Sequence, residues 1–149
     1  KIMHRMFCCA ESFNQPIGNW KVDNVISMCC MFWGTDSFNQ DISNWNTSSV
    51  IDMSSMFRYA KSFDQDIGEW DVSNVEKMAN MFLCAKSFNQ DIKSWDISKV
   101  KNMYYMFRGA ETFNQDISNW DFTNVEDMHC MILDTPLELM LDNQENQNK

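Results

Sequence analysis

Residues 62–85, SFDQDIGEWDVSNVEKMANMFLCA, contain the pattern that decides the fold, because the pattern returns every 25 residues along the chain. The tryptophan of this stretch, Trp70, has equivalents one period before and one period after it, at Trp45 and Trp95. We call each set of residues at equivalent positions of successive repeats a column. The apolar columns are Phe13, Phe38, Phe63, Phe88 and Phe113; Ile17, Ile42, Ile67, Ile92 and Ile117; Trp20, Trp45, Trp70, Trp95 and Trp120; Val25, Val50, Val75, Val100 and Val125; and two columns of methionine that run from Met3 to Met128 and from Met6 to Met131. A fixed period of this size predicts stacked coils in which each column packs on its own copies.

Two short elements are predicted within each repeat. Val75, Met78, Met81, Phe82 and Ala85 have the spacing of one face of a short helix. In the following copy, residues 92–97 read IKSWDI, whose W-x-I part alternates as a short strand does. The expected fold class is therefore α/β, a solenoid of about six coils similar to a leucine-rich repeat. Its parallel sheet would form the inner face and its short helices the outer face.

The repeat pattern breaks down near the end of the sequence. We predict a repeat solenoid over 1–133, with an incomplete first coil, and a C-terminal cap over 134–141, where Pro136 interrupts the pattern. Residues 142–149 are all polar and are expected to be a disordered tail. Because the chain opens inside a predicted helix, we expect it to be a fragment of a longer array.

The repeat resembles that of a known family. Its pattern, F-N-Q-D-I-S-x-W-D-V-S-N-V-x-x-M-x-x-M-F-x-x-A, is similar to the 25-residue repeat of the BspA-like surface proteins, a type abundant in mycoplasma lipoproteins. The resemblance extends from residue 1 to about residue 133. It implies a leucine-rich-repeat-like fold and a role in surface binding or adhesion.

Charge and motifs exclude several classes of function. Lys and Arg number 12 against 21 Asp and Glu, which gives a net charge of −9. This excess of acid argues against binding to nucleic acid or to an anionic membrane surface. No apolar run approaches the roughly 20 residues that span a bilayer, so we expect no membrane insertion. The sequence has no nucleophile paired with a base, no phosphate-binding glycine loop and no metal signature, so we expect neither an enzyme nor a cofactor.

The first candidate binding surface is an acidic strip on the inner face. Asp71, Asp96 and Asp121 form one acidic column that flanks the tryptophans and would point away from the core. Its expected polar neighbours are Asn44, Glu69, Ser94 and Asn119. Carboxylate and amide oxygens also leave open a weakly held Ca²⁺. A second acidic column, which begins at Asp41, is expected instead to accept backbone N–H groups in its turns.

The alternative surface lies on the outer face, where side chains vary most between repeats. Large groups stand there in columns that are not core, and aromatic residues beside arginine suit a protein interface. This set is Trp33, Arg58, Tyr59, Tyr104, Tyr105 and Arg108.

The six cysteines bear on metal binding and on the compartment. Cys8-Cys9 and Cys29-Cys30 would lie on adjacent coils, which leaves one disulfide open. Their spacing matches no zinc template, and adjacent cysteines suit a tetrahedral ion poorly, so no metal site is expected. Free thiols argue for a reducing compartment, whereas the family resemblance implies a cell surface or extracellular location.

The leading hypothesis for function is a non-catalytic binding or adhesion module. It would present an extended repeat surface to a protein or glycan partner at a cell surface. The alternative is a structural subunit or spacer in a larger protein assembly.

Overall fold

The structure, a computed structural model, describes residues 1–140 and shows a stack of coils built almost entirely from turns. In the coil that begins near residue 52, turns occupy 54–59, 61–62, 68–69 and 73–74, and the same turns recur 25 residues later. One residue of each coil forms a parallel bridge to the next. These bridges are Ile2↔Ser27, Ser27↔Asp52, Asp52↔Lys77, Lys77↔Asn102 and Asn102↔Asp127. Helix α1, at 136–140, is the one helix among the described residues.

The predicted α/β fold is therefore wrong. Across residues 1–140 the bridges are single residues that do not extend into a parallel sheet, and the repeats contain no helices. The columns are nevertheless aligned between coils, as the repeat period predicted. Phe82 lies between Phe57 and Phe107, with ring centroids 5.6 and 5.5 Å away, and Trp45 stacks on Trp70 at 6.3 Å.

The helix prediction fails because the backbone N–H groups of the methionine segment point alternately to two different partners. The N–H groups of Met78 and Asn80 donate to carbonyls of the next coil, at 2.9 and 2.8 Å. Those of Met81 and Leu83 donate instead to carbonyls three residues earlier, at 3.1 and 3.2 Å. An α-helix would direct all of them to the residue four positions earlier. The left-handed backbone of Asn80, with φ of 57°, and of Cys84, with φ of 54°, also excludes a helix.

The strand prediction fails because the tryptophan segment makes no backbone ladder. The backbone N–H of Trp95 donates to the carbonyl of Ile92 in its own coil, at 3.1 Å. The link to the previous coil is made by the side chain, since the indole Nε1 donates to the carbonyl of Ile67 at 3.1 Å. Among the described residues, no backbone hydrogen bond joins this segment to the equivalent segment of a neighbouring coil.

Side-chain amides and carboxylates also join successive coils, in the columns of Asp64 and Gln65. The Oδ1 atom of Asp64 accepts the backbone N–H of Asn89 at 3.0 Å and the side-chain amide of Gln90 at 2.8 Å. The same pair of bonds recurs one coil earlier, from Asp64 and Gln65 to Asn39. These two columns therefore satisfy turn backbone between successive coils.

The C-terminal end of the described chain closes onto the last coil. Leu137 of α1 is 7% exposed and belongs to the hydrophobic core, and its N–H donates to the carbonyl of Phe113 at 3.3 Å. The last residue of the predicted cap, 141, and the predicted tail, 142–149, lie outside the described residues.

Candidate functional site

The acidic strip predicted on the inner face is exposed, but its carboxylates are engaged in turns. Asp71 Oδ1 accepts the backbone N–H of Ser73 at 3.0 Å and the Ser73 hydroxyl at 2.7 Å. These bonds hold the pKa of Asp71 below its ordinary value. Asp96 and Asp121 accept equivalent backbone bonds, each at 3.0 Å. Their pKa values are lowered for the same reason.

The acidic column that begins at Asp41 also accepts hydrogen bonds within its own turns. Asp41 Oδ1 accepts the backbone N–H of Ser43 at 2.9 Å and its hydroxyl at 2.7 Å, which confirms the role predicted for that column. The remaining members of the strip are exposed side chains along the stack. They are Asn44, Glu69, Ser94 and Asn119. Because both acidic columns use the same turn geometry, nothing in that geometry singles out the strip as a ligand site.

The outer-face residues are brought together around one groove of about 610 Å³. Five of the six predicted residues line it, and the sixth, Trp33, packs against Arg58 beside it. The lining residues, which define the arginine–tyrosine groove, are Arg58, Tyr59, Asn80, Leu83, Cys84, Tyr104, Tyr105, Arg108, Gly109 and Asp134.

Column alignment explains the position of the two arginines. Arg58 and Arg108 occupy one column, two coils apart, and Leu83 stands between them in the same column. Leu83 is only 7% exposed and provides an apolar part of the floor. Gly109 has φ of 66°, and a Cβ there would lie 3.0 Å from the Cys84 sulfur, so a side chain would crowd the floor.

The groove carries positive charge in a chain whose net charge is negative. The Arg58 guanidinium lies 4.8 Å from the ring centroid of Trp33 and 5.1 Å from that of Tyr59. Arg108 lies 4.7 Å from the ring of Tyr105, and its Nε is 3.8 Å from a carboxylate oxygen of Asp134. The three distances from guanidinium to ring centroid are typical of cation–π contacts.

Arg58 differs from Arg108 in having no acidic partner among the residues that the structure describes. Within residues 1–140, none of the five ion pairs involves Arg58. Its Nε atom is buried and makes no hydrogen bond to any of residues 1–140. A carboxylate or similar anion that enters the groove would therefore meet a guanidinium whose charge is not already neutralised within this part of the chain.

The titratable groups of the groove include one thiol and three phenols. Burial raises the pKa of the Cys84 thiol, which keeps it protonated. A hydrogen bond with the Tyr105 hydroxyl is the main cause of the raised pKa of Tyr104. The two rings stack with their centroids 3.9 Å apart. The groove thus offers two guanidinium groups, phenol hydroxyls and aromatic faces.

The sequence pointed to the two arginines and the tyrosines, but not to Asn80, Gly109 or Asp134 as parts of the same groove. Alignment of the columns was the available signal, since Gly109 and Asp134 stand in the column of Tyr59. What the alignment did not provide was the turn backbone that directs these columns to one surface.

Comparisons with known proteins place the chain in a family. Neither the curated proteins nor the solved structures include a significant match. Among residues 1–140, no helix is long and apolar enough to cross a membrane. A family model matches residues 1–82 and again residues 40–138, so the two matches together extend over most of the chain. The chain therefore belongs to the family described as Mycoplasma protein of unknown function, DUF285.

Proposed function

We propose that the chain is a non-catalytic binding module whose arginine–tyrosine groove holds an acidic group of a protein or glycan partner. The observation that carries this proposal is Arg58, a cation whose buried Nε has no acceptor and whose guanidinium has no acidic partner among the described residues. Arg108 adds a second cation two coils away, and Tyr59 and Tyr105 supply flat surfaces. Arginine and aromatic residues together are enriched where proteins bind partners.

The location of the module is part of the same proposal. The resemblance of the repeat to the BspA-like surface proteins supports adhesion at a cell surface. A sugar ring would stack on the tyrosines, and a carboxylate on that sugar would pair with the guanidinium groups, so an acidic glycan suits the groove better than a neutral one.

The test uses a substitution that the chain itself already contains. Leu83 and Leu133 stand in the column of Arg58 and Arg108, so the double variant R58L/R108L keeps residues that this backbone accepts. We expect the full chain to bind acidic members of a panel of immobilised glycans and acidic peptides. The double variant should lose that binding by about 100-fold, since two charge-assisted contacts disappear.

Two controls distinguish the loss of positive charge in the groove from a loss of folding stability. Lys99→Ala removes an exposed cation outside the groove and should leave binding unchanged. Thermal unfolding of R58L/R108L should stay close to that of the wild-type chain. Equal binding by the wild-type chain and R58L/R108L, or equal binding to neutral and acidic glycans, would overturn the proposal.

The alternative role, a structural subunit in a larger assembly, has one observation of its own. Met6 and Met128 are 47% and 52% exposed, whereas their column equivalents Met31 and Met103 are fully buried. Met6 and Met128 thus offer exposed apolar side chains that a coil of another subunit could cover. Light scattering tests this role: it requires oligomers that grow with concentration and that disappear in the M6E/M128E variant.

A further inference from the structure

A second cluster of side chains lies away from the groove, at the junction of the first two coils. The side-chain ligand atoms of His4, Cys29 and Cys30 all lie within 4.8 Å of one another. We propose that these three residues bind a thiolate-preferring metal ion, for which Zn²⁺ is the probe, and that the remaining position of the ion is open to water. Imidazole nitrogen and cysteine sulfur are the ligands that zinc prefers in tetrahedral sites.

The stacking of the coils brings the histidine to the cysteines. His4 and Cys29 belong to the same column and stand on adjacent coils, whose backbones are joined by a hydrogen bond of 3.0 Å from Arg5 N–H to the Cys29 carbonyl. Cys spacing alone argued against a metal, because it contained no information about a ligand from the preceding coil.

The backbone explains why two adjacent cysteines can share one ion. Cys30 is in the left-handed conformation, with φ of 57°, and its sulfur lies 3.5 Å from that of Cys29. A tetrahedral ion with Zn–S bonds of about 2.3 Å requires sulfur atoms roughly 3.8 Å apart. The observed separation is therefore close to one edge of the coordination tetrahedron.

The charged surroundings are compatible with bound thiolates. Arg5 provides positive charge near Cys29, which favours a thiolate there, whereas Asp52 provides the opposing charge. On coordination, each thiol loses its proton to solvent.

The chain provides a matched control for the cysteine pair. Ser54 and Ser55 occupy the same two columns one coil later, and Ser55 has φ of 55°. The double variant C29S/C30S therefore repeats a pair that this backbone already accepts. His4→Ala likewise repeats Ala79 in its column, and Cys84→Ser removes a thiol far from the cluster.

The experiment is equilibrium dialysis of the reduced, full chain against Zn²⁺ in competition with a chromophoric chelator. We expect one zinc per wild-type chain and unchanged binding in Cys84→Ser. Affinity should fall by more than about 100-fold in C29S/C30S and by about 10-fold or more in His4→Ala. Substitution with Co²⁺ should give the strong absorption of thiolate-to-metal charge transfer in the wild-type chain and not in C29S/C30S.

Three results would overturn the metal site. The first is equal zinc affinity in the wild-type chain and C29S/C30S. The second is a wild-type chain that retains no zinc under reducing conditions. The third is a mass spectrum in which the reduced preparation still carries a disulfide within the Cys8, Cys9, Cys29 and Cys30 group, because an oxidised pair supplies no thiolates. Unfolding midpoints of each variant, measured without metal, report whether any loss comes from the fold instead.

Discussion

The methionine side of each coil, such as residues 78–84, and the tryptophan side, such as residues 92–97, are joined to the neighbouring coils by different kinds of contact. On the methionine side, Met78, Asn80, Phe82 and Cys84 donate their backbone N–H groups to the next coil, at 2.8–2.9 Å. On the tryptophan side, the coils are joined by the Trp95 indole and by packing. The backbone ladder tolerates many side chains, whereas the tryptophan side depends on one residue type. This difference accounts for the variety of side chains on the methionine side, where the groove and the cysteine cluster lie.

The largest expected effect comes from the core that both sides share. Phe82 is fully buried and packs against Phe57, Phe88 and Phe107. Phe82→Ala should lower the free energy of unfolding by about 3–5 kcal/mol, because it leaves a cavity that stacked coils cannot close. Urea denaturation measures this loss. The exposed Ser87→Ala serves as the control and should change stability by less than about 0.5 kcal/mol.

A smaller effect is expected where one side-chain hydrogen bond joins the coils. Trp95→Phe removes the indole donor to the Ile67 carbonyl but keeps an aromatic ring in the column. The Ile67 carbonyl retains its bond from the Trp70 N–H at 3.1 Å. We therefore expect a loss of about 2 kcal/mol, from one hydrogen bond and some buried area. A loss as large as that of Phe82→Ala, measured by the same urea titration, would mean that the indole bond is as important as the core.

A third substitution tests the left-handed positions of the ladder. Asn80 has φ of 57°, which a β-branched residue adopts only with strain. Asn80→Val should cost about 1 kcal/mol, whereas Asn80→Gly should cost nothing or stabilise the chain slightly. Comparison of the two urea midpoints checks this. If valine and glycine proved equally stable at this position, the methionine segment would not be a turn ladder in solution.

The smallest effect concerns the acidic turns beside the tryptophans. The pKa values of Asp71, Asp96 and Asp121 are lowered in the folded chain from 3.8. The stability that they contribute is therefore present above about pH 4 and is lost as the pH falls through their folded pKa values. The triple change to Asn, the residue already present at Asn46, should weaken this dependence, because an amide oxygen accepts the same bond from Ser48, at 3.1 Å.

Melting temperatures measured from pH 6 to pH 2 check this prediction. The triple variant should lose less stability on acidification than the wild-type chain, and Asp41, Asp91 and Asp116 should supply the dependence that remains. Identical acid profiles for the two proteins would show that these turns do not contribute.

The candidate sites were predictable only in part. The variable columns indicated Arg58, Tyr59, Tyr105 and Arg108 as surface residues, and the structure unites them in one groove. The sequence gives no reason to place His4 in a site, because the other histidine of its column, His129, is five coils away. The role of His4 depends on a neighbour one coil away, at Cys29, and on the direction in which each turn points its side chain.

The sequence by itself determined the period, the columns and which residues are buried, because each coil must place its large apolar groups over those of the next to exclude water. It did not determine the backbone between them. The left-handed residues that replace the predicted helices are cysteine, serine, asparagine, tyrosine and arginine more often than glycine, so no local signal marked them. Hydrogen bonds from neighbouring coils, 24 residues away in sequence, compensate for that local strain. Only the tertiary structure, in which those coils are already stacked, could therefore decide between helices and turns.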